Sequence, residues 1–269
     1  MNKAVILARG LGKRMRQPDS TVHLAPEQEA IADSGVKAMI PIGRPFLDYV
    51  LSGLADAGYE EVCLVIGPEH ESVRSYYTSE ALPRRIRIHF AIQAEPRGTA
   101  DAVVAAEKFV SGDDFLSINS DNFYPTSILR ELRNLNEPAV ALFDQQTLMT
   151  KGNIPEEKIR KFAICEVDRD GYLRAIVEKP AAQTKVGNPV DVLISMNCWR
   201  FSSAIFDVCR RTPLSPRGEY ELPVAVGIAI AQHSMRFRVV RCQESVLDLS
   251  SRADIASVAE RLRSITPNP

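Results

Sequence analysis

No apolar run in this 269-residue chain is long enough to span a membrane, and no signal segment precedes the first strand, whose apolar run at Val5 cleavage would destroy. A membrane role and export are therefore not expected. Charge of one sign is also missing. The 33 Lys and Arg against 34 Asp and Glu leave a formal net charge of -1, which speaks against a nucleic-acid binder working by bulk charge and leaves room only for a local basic pocket. Cysteine is sparse: Cys63, Cys165, Cys198, Cys209 and Cys242 are odd in number, form no CxxC pair and mostly sit in apolar runs. They read as reduced core thiols of a cytoplasmic protein rather than a zinc site. Repeats, low-complexity stretches and a recognisable linker are absent too.

What is present is an ordinary globular composition, 45% apolar and 25% charged, long enough for one large or two small domains with a full core. The chain is organised around its opening, Lys3-Ala4-Val5-Ile6-Leu7-Ala8-Arg9-Gly10-Leu11-Gly12-Lys13-Arg14-Met15-Arg16. Ala4 to Ala8 has the length and content of a strand buried on both faces. The glycines then allow close backbone approach, and Lys13, Arg14 and Arg16 supply cations, so the stretch suits a phosphate. A strand end with a solvated basic turn is the competing reading. No Gly-Lys-Ser/Thr follows, so this is not a Walker A loop, and without a third glycine it is not the dinucleotide fingerprint.

Strands and helices alternate through the first half. Pro26 to Asp33 reads as a short helix within a polar cover (Gln17 to Val36), Pro45 to Gly58 as a helix and Glu61 to Gly67 as a strand. Then follow a helix (Glu69 to Ser79), a strand (Ile86 to Ile92), a helix (Gly98 to Val110), a strand (Phe115 to Ile118), a helix from Pro125 and a strand (Ala139 to Phe143). The expected fold is α/β, a Rossmann-like three-layer α/β/α arrangement on a mixed, mainly parallel sheet. The second half changes character. Phe162 to Val167 and Leu173 to Val177 form a hairpin on Asp170-Gly171, followed by a strand (Val190 to Phe201) and a helix (Ser202 to Arg211). A helix from Gly218 to Gln232, short strands at Phe237 to Val240 and Val246 to Leu249, a helix from Ser251 to Arg263 and a frayed Pro/Asn tail complete it.

In parallel sheets ligands sit beyond the carboxyl ends of the strands, which draws attention to the residues just after them. Asp121, in Ile118-Asn119-Ser120-Asp121-Asn122, suits a hard cation or a turn cap, and Asp248 suits the same cation or the N-terminus of the last helix. Gln93 can donate and accept, as the edge of a base requires. Gly98 and Thr99 open a helix whose N–H groups can bond a ligand. Glu178-Lys179-Pro180 closes the hairpin, as solvated surface or as a second phosphate site.

Taken in order, these segments resemble the sugar-1-phosphate nucleotidyltransferases, the nucleoside-diphosphate-sugar pyrophosphorylases of the glucose-1-phosphate thymidylyltransferase and uridylyltransferase kind. The matching pieces are Leu7 to Met15, Lys37 to Pro41, Gln93 to Ala100, Asp121-Asn122, Glu178-Lys179-Pro180 and Leu247-Asp248, spread over nearly the whole chain. The resemblance implies a single domain over 1–269, with 1–145 mainly nucleotide-binding, 146–249 mainly sugar-phosphate-binding with a small hairpin subregion, and 250–269 a helix and tail. It implies that Leu7, Ala8, Arg9, Gly10, Gly12, Gln93, Gly98 and Thr99 bind the nucleotide, and that Arg14, Lys37, Asp121 and Lys179 are catalytic. Glu178, Lys179 and Asn197 would meet the sugar phosphate, and Asp121 and Asp248 would hold Mg²⁺. The implied partners are an NTP, dTTP or UTP first, and a hexose 1-phosphate. Relatives often form dimers or tetramers. Guanylyl or cytidylyl transfer, or a non-catalytic regulatory paralogue, are the alternatives.

Two residues depart from the pattern. Arg9 stands where the family has the first of two adjacent glycines, and Ser120 replaces the glycine before the metal Asp. Glu219-Tyr220-Glu221-Leu222 resembles another family segment, but Val224 stands where an Asp is common, so no catalytic role is assigned to it.

Overall fold

A computed structural model describes residues 1–177 and 193–269. Among them a nine-stranded sheet forms the middle layer. In chain order the strands are β1 (Lys3–Leu7), β2 (Glu61–Ile66), β3 (Arg87–Ile92), β4 (Phe115–Asn119), β5 (Asn122–Phe123) and β6 (Ala139–Asp144). They continue with β7 (Ala163–Val167), β8 (Leu173–Val177), β9 (Leu193–Phe201), β10 (Arg238–Cys242) and β11 (Leu247–Asp248). The main path runs β10-β6-β9-β4-β1-β2-β3, and all neighbours on it are parallel except β9, which is antiparallel to β4 and β6.

The strand pleat builds both cores. Ala4 and Ile6 of β1 enter one apolar cluster, while Val5 and Leu7 enter the other. The first cluster receives Phe46, Leu47 and Val50 of the helix Phe46–Ala57, Leu129 and Leu132 of Thr126–Asn134, and Val258 of Asp254–Leu262. The second receives Val103 of the helix Thr99–Ala105, Phe206 of Ile205–Arg211 and Val226 of Leu222–His233. This is the three-layer arrangement expected. β7 pairs with both β8 and β9, so the hairpin is continuous with the main sheet.

Several details differ from expectation. The helix from Gly98 breaks at Ala106 into Thr99–Ala105 and Glu107–Val110. The helix expected from Gly218 begins at Leu222. Residues 215–219 form a turn closed by Gly218 N–H to Ser215 O (2.8 Å), and Pro223 lies in the first helical turn, where its missing N–H costs nothing. The last helix starts at Asp254, whose carboxylate accepts the N–H groups of Ser250 (2.9 Å) and Ser251 (2.7 Å). Two unexpected helices, Gln145–Lys151 and Glu156–Ile159, fill the stretch before β7. The tail is docked rather than frayed: Asn268 N–H donates to Ser52 Oγ at 3.1 Å and Arg84 N–H to Pro269 O at 2.8 Å. The start of the strand expected from Val190 lies outside the described residues. No helix among the described residues is long and apolar enough to cross a membrane.

Candidate active site

The chain passes from β1 outward to β2 and β3, then returns to the other side of β1 as β4. Beyond that switch point lies a cavity of about 370 Å³, lined by segments that follow β1, β3 and β4. The loop after β1 is shaped by glycine against glycine. Gly12 has φ +60°, and a Cβ there would lie 2.2 Å from Gly35 O. Gly35, the cap of the helix Pro26–Ser34, has φ +76° and equally little room. This contact sets Lys37, two residues on, beside the glycine loop. Arg14 and Lys13 are exposed on the cavity and make no hydrogen bond or ion pair among the described residues, so their charge is available to a ligand. Arg16 is instead spent on structure, donating to Ser34 O at 2.6 and 3.1 Å.

Arg9 is buried. Its Nε donates to Gln93 O at 3.1 Å and its Nη1 pairs with Glu69 at 2.7 Å. It crosses Gly67, where a Cβ would sit 2.4 Å from the Arg9 Nε. The departure at position 9 therefore ties together the ends of β1, β2 and β3 while still lining the cavity. The supporting turn is closed by Gly67 N–H, which donates to His70 Nδ1 at 3.3 Å, and burial lowers the His70 pKa.

Asp121 lies on the cavity and forms an ion pair with Lys37. Burial opposes its charge, but the Lys37 ammonium and its hydrogen bond outweigh that and hold the carboxyl below its ordinary range. Asp248 comes close by a route unread in the sequence. The short strands β5 and β11 pair antiparallel, setting Asp248 opposite Asn122, and Leu249 N–H bonds Asp121 O at 2.8 Å. Asp248 does not line the cavity, however. Its Oδ1 accepts from Asn122 Nδ2 at 2.9 Å, and its Oδ2 is paired with Lys158 Nζ, which also lies 3.3 Å from Asp254. Burial, together with the neighbouring Asp121, raises its pKa. Both oxygens of Asp248 are engaged in this arrangement, one by Asn122 and one by Lys158.

Gly98 and Thr99 line the cavity but are largely committed to the fold. Gly98 has φ +116°, and a Cβ there would fall 2.5 Å from Tyr220 O. Ala100 N–H donates to that same carbonyl at 2.9 Å, and Thr99 Oγ1 accepts from Leu222 N–H at 2.8 Å. Of the N–H groups at this helix start, that of Ala100 is thus taken by the Glu219–Leu222 segment. Asn197 lies in β9 where its register against β6 shifts, with φ +55°. Its Oδ1 accepts from Trp199 Nε1 at 3.4 Å, and the residue lines the cavity.

The structure thus brings Leu7, Ala8, Arg9, Gly10, Gly12, Arg14, Lys37, Gln93, Gly98, Thr99, Asp121 and Asn197 to one cavity. It leaves Asp248 behind it, and Glu178 and Lys179 lie outside the described residues. Glu219 and Ser250 also line the cavity. Sequence reasoning set Glu219 aside and missed Lys158, which sits in a stretch without a motif.

Comparison with known proteins bears on the family and the fold. The family model described as nucleotidyl transferase matches residues 3–244. Among curated relatives, the UTP–glucose-1-phosphate uridylyltransferase AglF of Haloferax volcanii is 24% identical over 268 residues, 98% of each chain. The bifunctional protein GlmU of Methanococcus maripaludis is 27% identical over 83% of this chain and 46% of its own length. Among solved structures, a UDP-glucose pyrophosphorylase complexed with UDP-glucose superposes with TM-score 0.77 at 16% identity, over 99% of this chain and 100% of that one. A UTP-bound enzyme from Acinetobacter baumannii has TM-score 0.73 at 18% identity, over 100% and 96%. At these identities the structural matches speak for the fold.

Proposed function

The chain belongs to the nucleotidyl transferase family, and from that premise we propose that it transfers a nucleotidyl group from an NTP, UTP or dTTP first, to a hexose 1-phosphate in the cytoplasm. The observation that carries this reading is the single cavity on which the glycine loop, two unpaired cations, Lys37, Gln93 and Asp121 converge. A phosphate oxygen of the sugar phosphate attacks the α-phosphorus in line and forms the new P–O bond. The bond to the β-phosphate oxygen breaks, and pyrophosphate leaves with that electron pair. The attacking oxygen is already anionic near neutral pH, so no protein base is required. The work of the protein is positioning and charge compensation.

Arg14 and Lys37 neutralise the departing pyrophosphate in this scheme, and Asn197 bonds the sugar side. Glu178 and Lys179 retain the sugar-hydroxyl and sugar-phosphate roles that the family resemblance implies. A magnesium ion, if bound, would supply positive charge to the substrate phosphates. Asp121 is the residue to hold it, since such ions take one or two carboxylates with substrate oxygens and water completing the shell. Its present partner Lys37 would then turn toward phosphate.

The test is pyrophosphate release with Mg²⁺, each of five NTPs and a panel of hexose 1-phosphates. Release with one pair, abolished in Asp121→Ala, supports the reading. Nucleotide binding without release across the panel would point to a regulatory paralogue.

A further inference from the structure

Gln93, the first residue past β3, is held from three sides. Arg9 Nε donates to its backbone carbonyl at 3.1 Å. Its side-chain Nε2 donates to Gly98 O at 3.0 Å and to Asp101 Oδ2 at 2.7 Å. Both side-chain partners can only accept. Turning the amide over would set Oε1 against two oxygens, so this network permits one orientation. Oε1 has no hydrogen-bond donor among the described residues, and Gln93 lines the cavity. Asp101, in contrast, is not part of the lining. Its other oxygen accepts from Arg97 Nη2 at 2.7 Å, and the Arg97 guanidinium lies 5.8 Å from the centre of the Tyr220 ring. A carboxylate anchored by an arginine thus fixes the amide from behind.

We propose that Asp101 is a positioning residue that sets base selectivity, by holding the Gln93 amide so that the cavity meets an acceptor. This rests on the reading of the cavity as a nucleotide site. An acceptor there bonds a base that presents a ring N–H, as uracil, thymine and guanine do. It repels one that presents a ring nitrogen lone pair, as cytosine and adenine do. Substitution by asparagine does more than remove charge. Arg97 can only donate and claims the one oxygen of the new amide, leaving its NH₂ toward Gln93. That NH₂ needs an acceptor and offsets the pull of Gly98 O, which still takes a donor, so the reversed Gln93 amide becomes populated; its own NH₂ then enters the cavity and suits cytosine.

The experiment is calorimetric titration of the whole chain with UTP and with CTP, without sugar phosphate, for wild type, Asp101→Asn and Asp101→Ala. Wild type is expected to bind UTP at least tenfold more tightly. The UTP-over-CTP ratio should fall by about tenfold in Asp101→Asn, the scale of one charge-assisted hydrogen bond, and by less in Asp101→Ala, which offers no competing donor. Either variant that folds, judged by its melting curve, is scored. Parallel weakening of both nucleotides at an unchanged ratio would overturn the proposal and leave Asp101 a merely structural role. Wild type binding CTP as tightly as UTP would overturn the amide orientation. Absence of NTP binding in wild type would overturn the nucleotide-site reading itself.

Discussion

Replacing Lys158 with methionine should destabilise the chain by about 3–5 kcal/mol, and adding Asp248→Asn should restore most of it. The magnitude follows from the surroundings. The Lys158 side chain is 10% exposed and that of Asp248 only 5%, so water cannot take over the lost contact. Without the ammonium, Asp248 keeps the Asn122 amide as its hydrogen-bond donor and faces the nearby Asp121 uncompensated. Asp254 contributes little to the penalty, because Ser250 N–H, Ser251 N–H and Ser251 Oγ all donate to it. The double variant removes both charges and preserves an acceptor for Asn122. Replacing a whole buried ion pair is often close to neutral, so it should lie within ~1 kcal/mol of wild type, a coupling of at least ~2 kcal/mol. Urea denaturation at pH 7, with the slope checked for constancy, measures each corner of this cycle. A single variant within ~1 kcal/mol of wild type, or a double variant no better than the single, would refute the pairing.

Other outcomes are equally concrete. Asp121→Ala should lower the rate of pyrophosphate release by at least ~10²-fold, the scale of one lost electrostatic group, whereas Asp248→Asn should lower it far less; initial rates at saturating substrate decide between them. His70 is buried with its pKa below the ordinary value, so the unfolded chain binds its proton more readily. Stability should therefore be full above about pH 6.5 and decline as pH falls below it, and His70→Gln should flatten that decline in melting curves between pH 7 and 5. Burial pushes the thiols of Cys63 and Cys209 up to about 12 and that of Cys242 to about 11. A thiol-directed disulfide reagent at pH 8 should leave these three unmodified until denaturant is added, and rapid native labelling would contradict their burial.

Much of the architecture was legible because it rests on local rules. The Ala4–Ala8 run, the Pro26 and Pro45 helix starts and the Asp170-Gly171 turn each carry their own physical signal. The lining of the candidate cavity was legible where motif residues follow strands, as with Gly12, Gln93 and Asp121. What escaped depends on distant partners. Nothing local to Lys158 announces Asp248, 90 residues away. Nothing local to Thr99 announces Leu222, 123 residues on, whose N–H its hydroxyl accepts. Pro267 and Pro269 look like a frayed end, yet both are buried against the fold.

The antiparallel strand β9 bears on how the chain reaches this state. It lies between β4 and β6, which are not adjacent to each other without it. During synthesis, β4 and β6 emerge with their facing edges unpaired and must wait for residues 193–201. A released chain truncated near residue 145 should therefore expose the unpaired edge of β4, on the strand that leads to Asp121, and both edges of β6, whose other neighbour β10 is also missing. Insertion of that late strand also delivers Asn197 to the cavity. The slow step in acquiring activity after refolding should then be this long-range insertion, not the formation of the glycine loop.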